Sequence, residues 1–278
     1  MNENDTIEAP SGKDRADENF PVGSRLIARH LRPHVHAFYA FARNADDIAD
    51  SPALPPAEKI ARLNTMEDVL RGRRTEGSPS ATMLRASLAQ SGVTVTHAQD
   101  LLHAFRHDSL ENRTPSWPAL MEYCRYSAMP VGRYVLDLHG EGGGTWPHSD
   151  ALCSSLQILN HLQDCADDFA ELDRCYLPSD WLAEAGATVG DLTGERATPG
   201  LRRVFNKLLA KCDELNRAAG GLPREVRDRR LRMECGMIVG LARRLTRRLK
   251  RNDPVAGRVK LSKMDVMFTG IGCLRWIN

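Results

Sequence analysis

From about Ser24 onwards, apolar residues return at three- and four-residue intervals in one run after another, and alternating strand patterns are nearly absent. That spacing places side chains on one face of a helix, so such a chain can bury its apolar surface only by packing helix on helix. The first run carries Leu26, Ile27, Val35, Phe38, Tyr39, Phe41 and Ala42. "PAEKIARLNTMEDVLRG" opens on proline and closes on glycine, as a bounded helix should, and "ATMLRASLAQSG" and "THAQDLLHAFRHDSL" follow in the same style. "SWPALMEYCRYSAMPVGRYVLDLHG" holds Pro130 inside its pattern, which predicts a kink. After the loop "EGGGTWPHS" a long helix is expected from about Asp150 to Asp168, then a loop, "TVGDLTGERATPG", and helical runs over 201–219, 223–250 and 261–275. Residues 1–17 are polar and aperiodic and read as a disordered tail, leaving 18–278 as one all-α domain.

Charge excludes one class of partner. The 38 Lys and Arg nearly balance the 36 Asp and Glu, so nothing points to nucleic acid. The seven cysteines form no C-x-x-C pair and lie mostly in apolar helical context, the pattern of reduced thiols in a cytoplasmic protein. There is no signal-peptide pattern and no apolar stretch long enough to span a bilayer. The glycines near 140–144 follow a helix rather than a strand, so they make no dinucleotide fingerprint.

Two short stretches stand out. "NADDIAD" sets Asp46 and Asp50 four apart, and "QDCADD" repeats the spacing with Asp164 and Asp168. Residues four apart share a helix face, where like charges repel. One isolated pair of this kind is ordinarily an exposed acidic face matched by arginine. The flanks here argue for more. The first pair ends the aromatic-rich "HAFYAFARNADD"; the second ends "CSSLQILNHLQD", where Gln157, Asn160 and Gln163 share a broad stripe with the aspartates. A polar stripe on an apolar helix needs partners, because buried polar groups without them are costly. Two such helices facing one another would surround a cavity with carboxylates, amides and apolar side chains. Mg²⁺ takes oxygen ligands, typically one or two carboxylates plus substrate phosphates, so the pattern suits Mg²⁺ and a diphosphate whose hydrocarbon chain fills the apolar remainder. Zinc fits less well, since no histidine joins the aspartates at ligand spacing.

These motifs resemble the paired aspartate-rich motifs of the squalene and phytoene synthase family. "YAFARNADDIAD" is similar to the first and "LQILNHLQDCADDFAELDRCYLP" to the second, and the likeness runs from about Asn19 to Arg258. The resemblance implies a single-domain isoprenoid-synthase helical fold with a central cavity, acting on prenyl diphosphates with Mg²⁺. Carried across by position, Asp46, Asp50, Asp164 and Asp168 would be metal ligands, with Asn160 beside them. Arg43 and Tyr39 would line the diphosphate region and cavity, and Arg258 would reach the diphosphate. Tyr123 would assist carbocation chemistry, and Gln157 would be a polar cavity residue. Phe38 and Phe41 are split between a cavity role and core packing.

The departures are also informative. "ENFPVGS" replaces the family's usual His-Ser-x-Ser-Phe, Gln163 stands where an arginine is common, and "CRYSAMPVG" replaces a run of small residues. Together they look most like the hydroxysqualene-forming branch of the bacterial hopanoid pathway. Enzymes of that branch ionise presqualene diphosphate, rearrange the cation and let water capture it; Gln157, Asn160 or Gln163 would hold that water. The substrate would be handed over by a presqualene diphosphate synthase. Two alternatives stay open: a head-to-head prenyltransferase condensing farnesyl diphosphate to presqualene diphosphate or squalene, and a non-catalytic helical subunit keeping the fold. The basic run "RRLTRRLKR" (243–251) reads as a solvated face that also permits weak peripheral contact with the inner face of an anionic membrane. His34, His36, His103 and His107 show no motif and read as structural.

Overall fold

The computed structural model describes residues 6–8 and 26–273. Among these the regular elements are helices, with one isolated bridge between Arg113 and Cys175. Internal contacts gather the chain into two compact units, one within Met1–Glu111 and Arg133–Gly142, the other within Asn112–Gly132 and Gly143–Asn278.

The first unit holds α1 (Arg32–Asp50), α2 (Pro56–Leu70), α3 (Pro79–Ser91) and α4 (Thr96–Asp108). The apolar pattern begins before the first helix does. Leu26 and Ile27 precede α1, which opens with Pro33 in its first turn, where a fixed φ and a missing N–H cost nothing. Phe38, Phe41, Leu63, Met66, Leu84 and Leu102 centre its core. Tyr134 stacks on Phe38 with ring centroids 4.0 Å apart, and its hydroxyl donates to the His34 carbonyl at 3.0 Å. At the start of α3 the Ser78 hydroxyl caps the helix by accepting from the Ala81 amide. Glu8 adds to this end, accepting from the Ser80 hydroxyl at 2.6 Å and the Ser80 amide at 3.1 Å. A carboxylate there also answers the positive end of the helix dipole. Thr6–Glu8 are thus the described part of the segment read as a disordered tail; the rest of 1–17 lies outside the described residues.

The second unit is built around α7 (Trp146–Leu172), four residues longer at each end than its apolar pattern indicates. Before it come α5 (Trp117–Ser127) and α6 (Met129–Leu138), the latter divided between the units after Gly132. The kink expected at Pro130 is a full break: Ala128 leaves helical geometry at φ −123° and ψ −47°. Proline offers no N–H and its ring clashes with the carbonyl one turn back, so the helix ends and restarts. Gly132 allows close approach to α7, since a Cβ there would lie 2.4 Å from Ser149 Oγ and 2.6 Å from Cys153 Sγ. Then follow α8 (Ser179–Glu184), α9 (Pro199–Ala218), α10 (Leu222–Glu225), α11 (Arg229–Arg251) and α12 (Lys263–Cys273). The run expected over 223–250 is interrupted between α10 and α11, where Asp228 accepts from the Arg230 and Leu231 amides at 2.9 and 2.8 Å. Its side chain supplies what the exposed first-turn donors need, so a new helix starts there.

All seven cysteines are free thiols, six of them buried. Burial pushes Cys124 and Cys165 up to about 12. No helix among the described residues is long and apolar enough to cross a membrane. Phe41 is fully buried, so Phe41→Ala is expected to lower stability by about 3–5 kcal/mol, measured as a shift of the urea unfolding midpoint.

Candidate active site

On α1, Tyr39, Arg43, Asp46 and Asp50 follow the spacing i, i+4, i+7, i+11, which keeps them on one stripe. Phe38 and Phe41 lie off that stripe, buried in the core. The Arg43 guanidinium is forked between two carboxylates, Nη1 at 3.1 Å from Asp46 Oδ2 and Nη2 at 3.0 Å from Asp47 Oδ1. Asp47 is a partner that the four-residue spacing did not single out. Burial, and next the negative charge of Asp50, push the Asp46 carboxyl up from 3.8 to about 8; Arg43 opposes the rise, while Asp108 and Asp47 add to it. Solvent still reaches 35% of the Asp46 side chain, which moderates the cost of ionising it.

On α7, Gln157, Asp164 and Asp168 occupy the same i, i+7, i+11 spacing, and the i+4 place is taken by His161. Gln157, Asn160, Asp164 and Asp168 are partly exposed. Asp164 is gripped from far along the chain: Arg258 Nε lies 2.7 Å from its Oδ1 and Nη2 lies 3.1 Å from its Oδ2. Such a two-point fork fixes orientation as well as charge. Gln163 is only 2% exposed, and its amide nitrogen donates to the carbonyl of Val259, the residue after Arg258. Neighbouring residues of α7 therefore hold the Arg258 segment twice, once by its side chain and once by its backbone.

His161 escaped the sequence reading. Its ring stacks on Tyr176 at 3.6 Å and lies 5.8 Å from the ring of Tyr123. The Tyr123 and Tyr176 hydroxyls are 3.2 Å apart, and Arg174 Nη1 reaches the Tyr176 hydroxyl at 3.5 Å. Burial, then the charge of Arg174, push His161 down to about 3, so its imidazole is neutral at any physiological pH. The signal was available: His161 lies four residues after Gln157 and three before Asp164, on the polar stripe itself.

The donor chemistry fits Mg²⁺. Each motif offers hard carboxylate oxygens, and Asp46 holds a proton where a cation would repay its burial. Among the described residues no cluster of three or more His, Cys, Asp or Glu side chains could chelate an ion by itself. In the first unit the carboxylates that could ligate such an ion are Asp46 and Asp50 on α1; in the second unit they are Asp164 and Asp168 on α7.

The squalene/phytoene synthase family model matches residues 13–265. The chain belongs to that family. It is 44% identical over 259 residues to a hydroxysqualene synthase of Zymomonas mobilis, covering 92% of this chain and 87% of the relative. It is 44% identical over 267 residues to one of Rhodopseudomonas palustris, covering 96% and 91%. Among solved structures it is similar to squalene synthase HpnC of Alicyclobacillus acidocaldarius, with TM-score 0.75 and 33% identity over 85% of this chain and 90% of that one. A dehydrosqualene synthase solved with a ligand shares the fold at TM-score 0.78 and 19% identity, over 94% and 92%. The helical architecture is that of the isoprenoid synthases.

Two outcomes are expected of this family member. Folded Asp46 keeps its proton to about pH 8 and the unfolded carboxyl loses it near 3.8, so the folded state binds the extra proton between those values and stability falls as pH rises through them. In metal-free calorimetry, Asp46→Asn should therefore gain in melting temperature over the parent as pH rises through that window; a constant difference would contradict the assignment. Gln163→Leu should strand the Val259 carbonyl at a cost of about 1–3 kcal/mol, with faster amide hydrogen exchange over 255–262.

Proposed function

We propose that this chain is a hydroxysqualene synthase, a lyase converting presqualene diphosphate and water into hydroxysqualene and inorganic diphosphate in hopanoid biosynthesis. The observation that carries the reading is identity of 43–44% with hydroxysqualene synthases of three organisms across 92–96% of the chain. The two aspartate motifs support it, each intact on its own helix.

The carbon–oxygen bond to the diphosphate breaks with its electron pair leaving on oxygen. The cyclopropylcarbinyl cation rearranges, water forms a new carbon–oxygen bond, and one proton is lost to solvent. Asp46 and Asp50 on α1, and Asp164 and Asp168 on α7, are the carboxylates that would hold Mg²⁺, which when bound would supply Lewis-acid stabilisation of the charge on the departing diphosphate. Each motif also carries an arginine held by its own aspartate, Arg43 on Asp46 and Arg258 on Asp164, as a charge-assisted donor for phosphate oxygens. Tyr39 stands one turn before Arg43 on the same stripe of α1. The face of Tyr123 attracts the hydrocarbon cation, and a neutral His161 beside it adds no charge to repel that cation. Gln157 and Asn160 are the partly exposed amides that hold the capturing water, while Gln163 acts mainly through its bond to Val259. Handover from a presqualene diphosphate synthase on the cytoplasmic side would supply the substrate, and the arginine-rich end of α11 would give weak peripheral contact with the membrane.

Incubation with presqualene diphosphate and Mg²⁺ should yield hydroxysqualene without NADPH, carrying oxygen from labelled water. Asp46→Ala or Asp164→Ala should each lower turnover by roughly 10²–10³ while leaving the fold intact. Squalene formed with NADPH, or consumption of farnesyl diphosphate alone, would move the chain to the condensing branch. Full turnover in EDTA would refute the metal assignment.

A further inference from the structure

Among the described residues eight large hydrophobic residues are exposed, and five of them lie on α12: Met264, Val266, Met267, Phe268 and Ile271, each 45–59% exposed. Met264, Met267, Phe268 and Ile271 follow the spacing i, i+3, i+4, i+7 and form one stripe. The opposite face is fixed to α11. Asp265 pairs with Arg248 at 2.6 Å and lies 3.8 Å from Arg244; Thr269 sits so close to Gly240 that a Cβ there would fall 2.4 Å from its methyl carbon; and Cys273 is buried. The helix is thus held by its polar contacts with its apolar stripe turned outward, the reverse of a solvent-facing helix. A concentrated exposed stripe of this kind marks an interaction site.

Charge selects the partner. Arg243, Arg247 and Arg251 are exposed along α11, and Lys260 and Lys263 are exposed where the chain enters α12. The Arg244 guanidinium lies 6.0 Å from the centre of the Phe268 ring, so basic and apolar side chains adjoin. The acid of α12, Asp265, is already engaged by Arg248. A second copy docked here about a two-fold axis would bring these cations towards their own counterparts, with no free acid on α12 to balance them. An anionic bilayer offers both what the stripe and what the cations require: hydrocarbon beneath a layer of phosphates.

We propose that α12 is a membrane-docking element, lying in the interfacial plane of an anionic bilayer with its apolar stripe inserted and Arg247, Arg251 and Lys263 against lipid phosphates. This goes beyond the peripheral contact drawn from the basic run: the apolar stripe, rather than the arginines alone, makes the attachment. Interfacial helices bind by buried apolar area together with attraction to anionic lipid, so both parts should be separable by mutation.

The test is flotation of the full chain with vesicles of phosphatidylcholine alone or mixed equally with phosphatidylglycerol. The parent chain should float with the mixed vesicles. Met267→Ser, Phe268→Ser and Ile271→Ser combined should lower the partition coefficient roughly tenfold or more, since each exposed side chain loses burial. Arg247→Glu with Arg251→Glu should lose the preference for anionic vesicles but keep the fold. Circular dichroism, and turnover of detergent-dispersed substrate, should be unchanged in both variants, separating this proposal from the catalytic one. Absence of binding by the parent, or equal binding by the triple serine variant, would overturn the proposal. So would a dimer in solution that the triple variant abolishes.

Discussion

Two carboxylates one turn apart on a helix repel, and the chain meets that repulsion differently at each motif. On α1 the answer is local: Arg43, on the same stripe, spreads its charge over Asp46 and Asp47. It is also incomplete, because Asp46 still favours its protonated form. On α7 the answer comes from 94 residues away, as Arg258 closes on both oxygens of Asp164. A long-range ion pair of this sort needs its backbone placed before the side chain can reach, and the bond from Gln163 to Val259 does that. An acidic site in this family member is therefore tied to the connection between α11 and α12.

Burial does related work on two residues of opposite type. It keeps a proton on Asp46 and keeps one off His161, so each motif helix carries a titratable side chain in its neutral form. For chemistry that passes through a carbocation the neutral state of His161 has a clear advantage near the Tyr123 and Tyr176 rings, where a protonated imidazole would oppose the developing charge. The stack of His161 on Tyr176 is compatible with that neutral state and presents ring faces free of formal charge.

What could be read from sequence was what depends on nearby residues. Helical periodicity, a disturbance at Pro130 (expected as a kink, found as a break) and the four-residue spacing of Asp46 with Asp50 and Asp164 with Asp168 all follow from spacings of a few residues. The misses depend on what a residue meets in space. Gln163 looked like a water-holding amide because nothing nearby in sequence shows that Val259 lies against it. Asp47 went unmentioned because motif spacing ignores the fork of a guanidinium. The interruption before α11 was hidden by apolar residues that continue the helical rhythm, and Asp228 as a cap marks it only once the chain is seen to stop. Glu8, in a segment composed like a tail, is placed by Ser78 and Ser80, whose hydroxyls both donate to it at the start of α3.

The cysteines carry a practical consequence. Desolvation holds the Cys124 and Cys165 thiols near a pKa of 12, so almost none of either is thiolate at neutral pH, the form that alkylating reagents attack. Their modification must then wait for the second unit to open, whereas Cys153 is partly accessible in the closed state. The rate at which a mass-tagged maleimide reaches the sheltered thiols becomes a clock for transient opening, built into the native chain and needing no engineered probe.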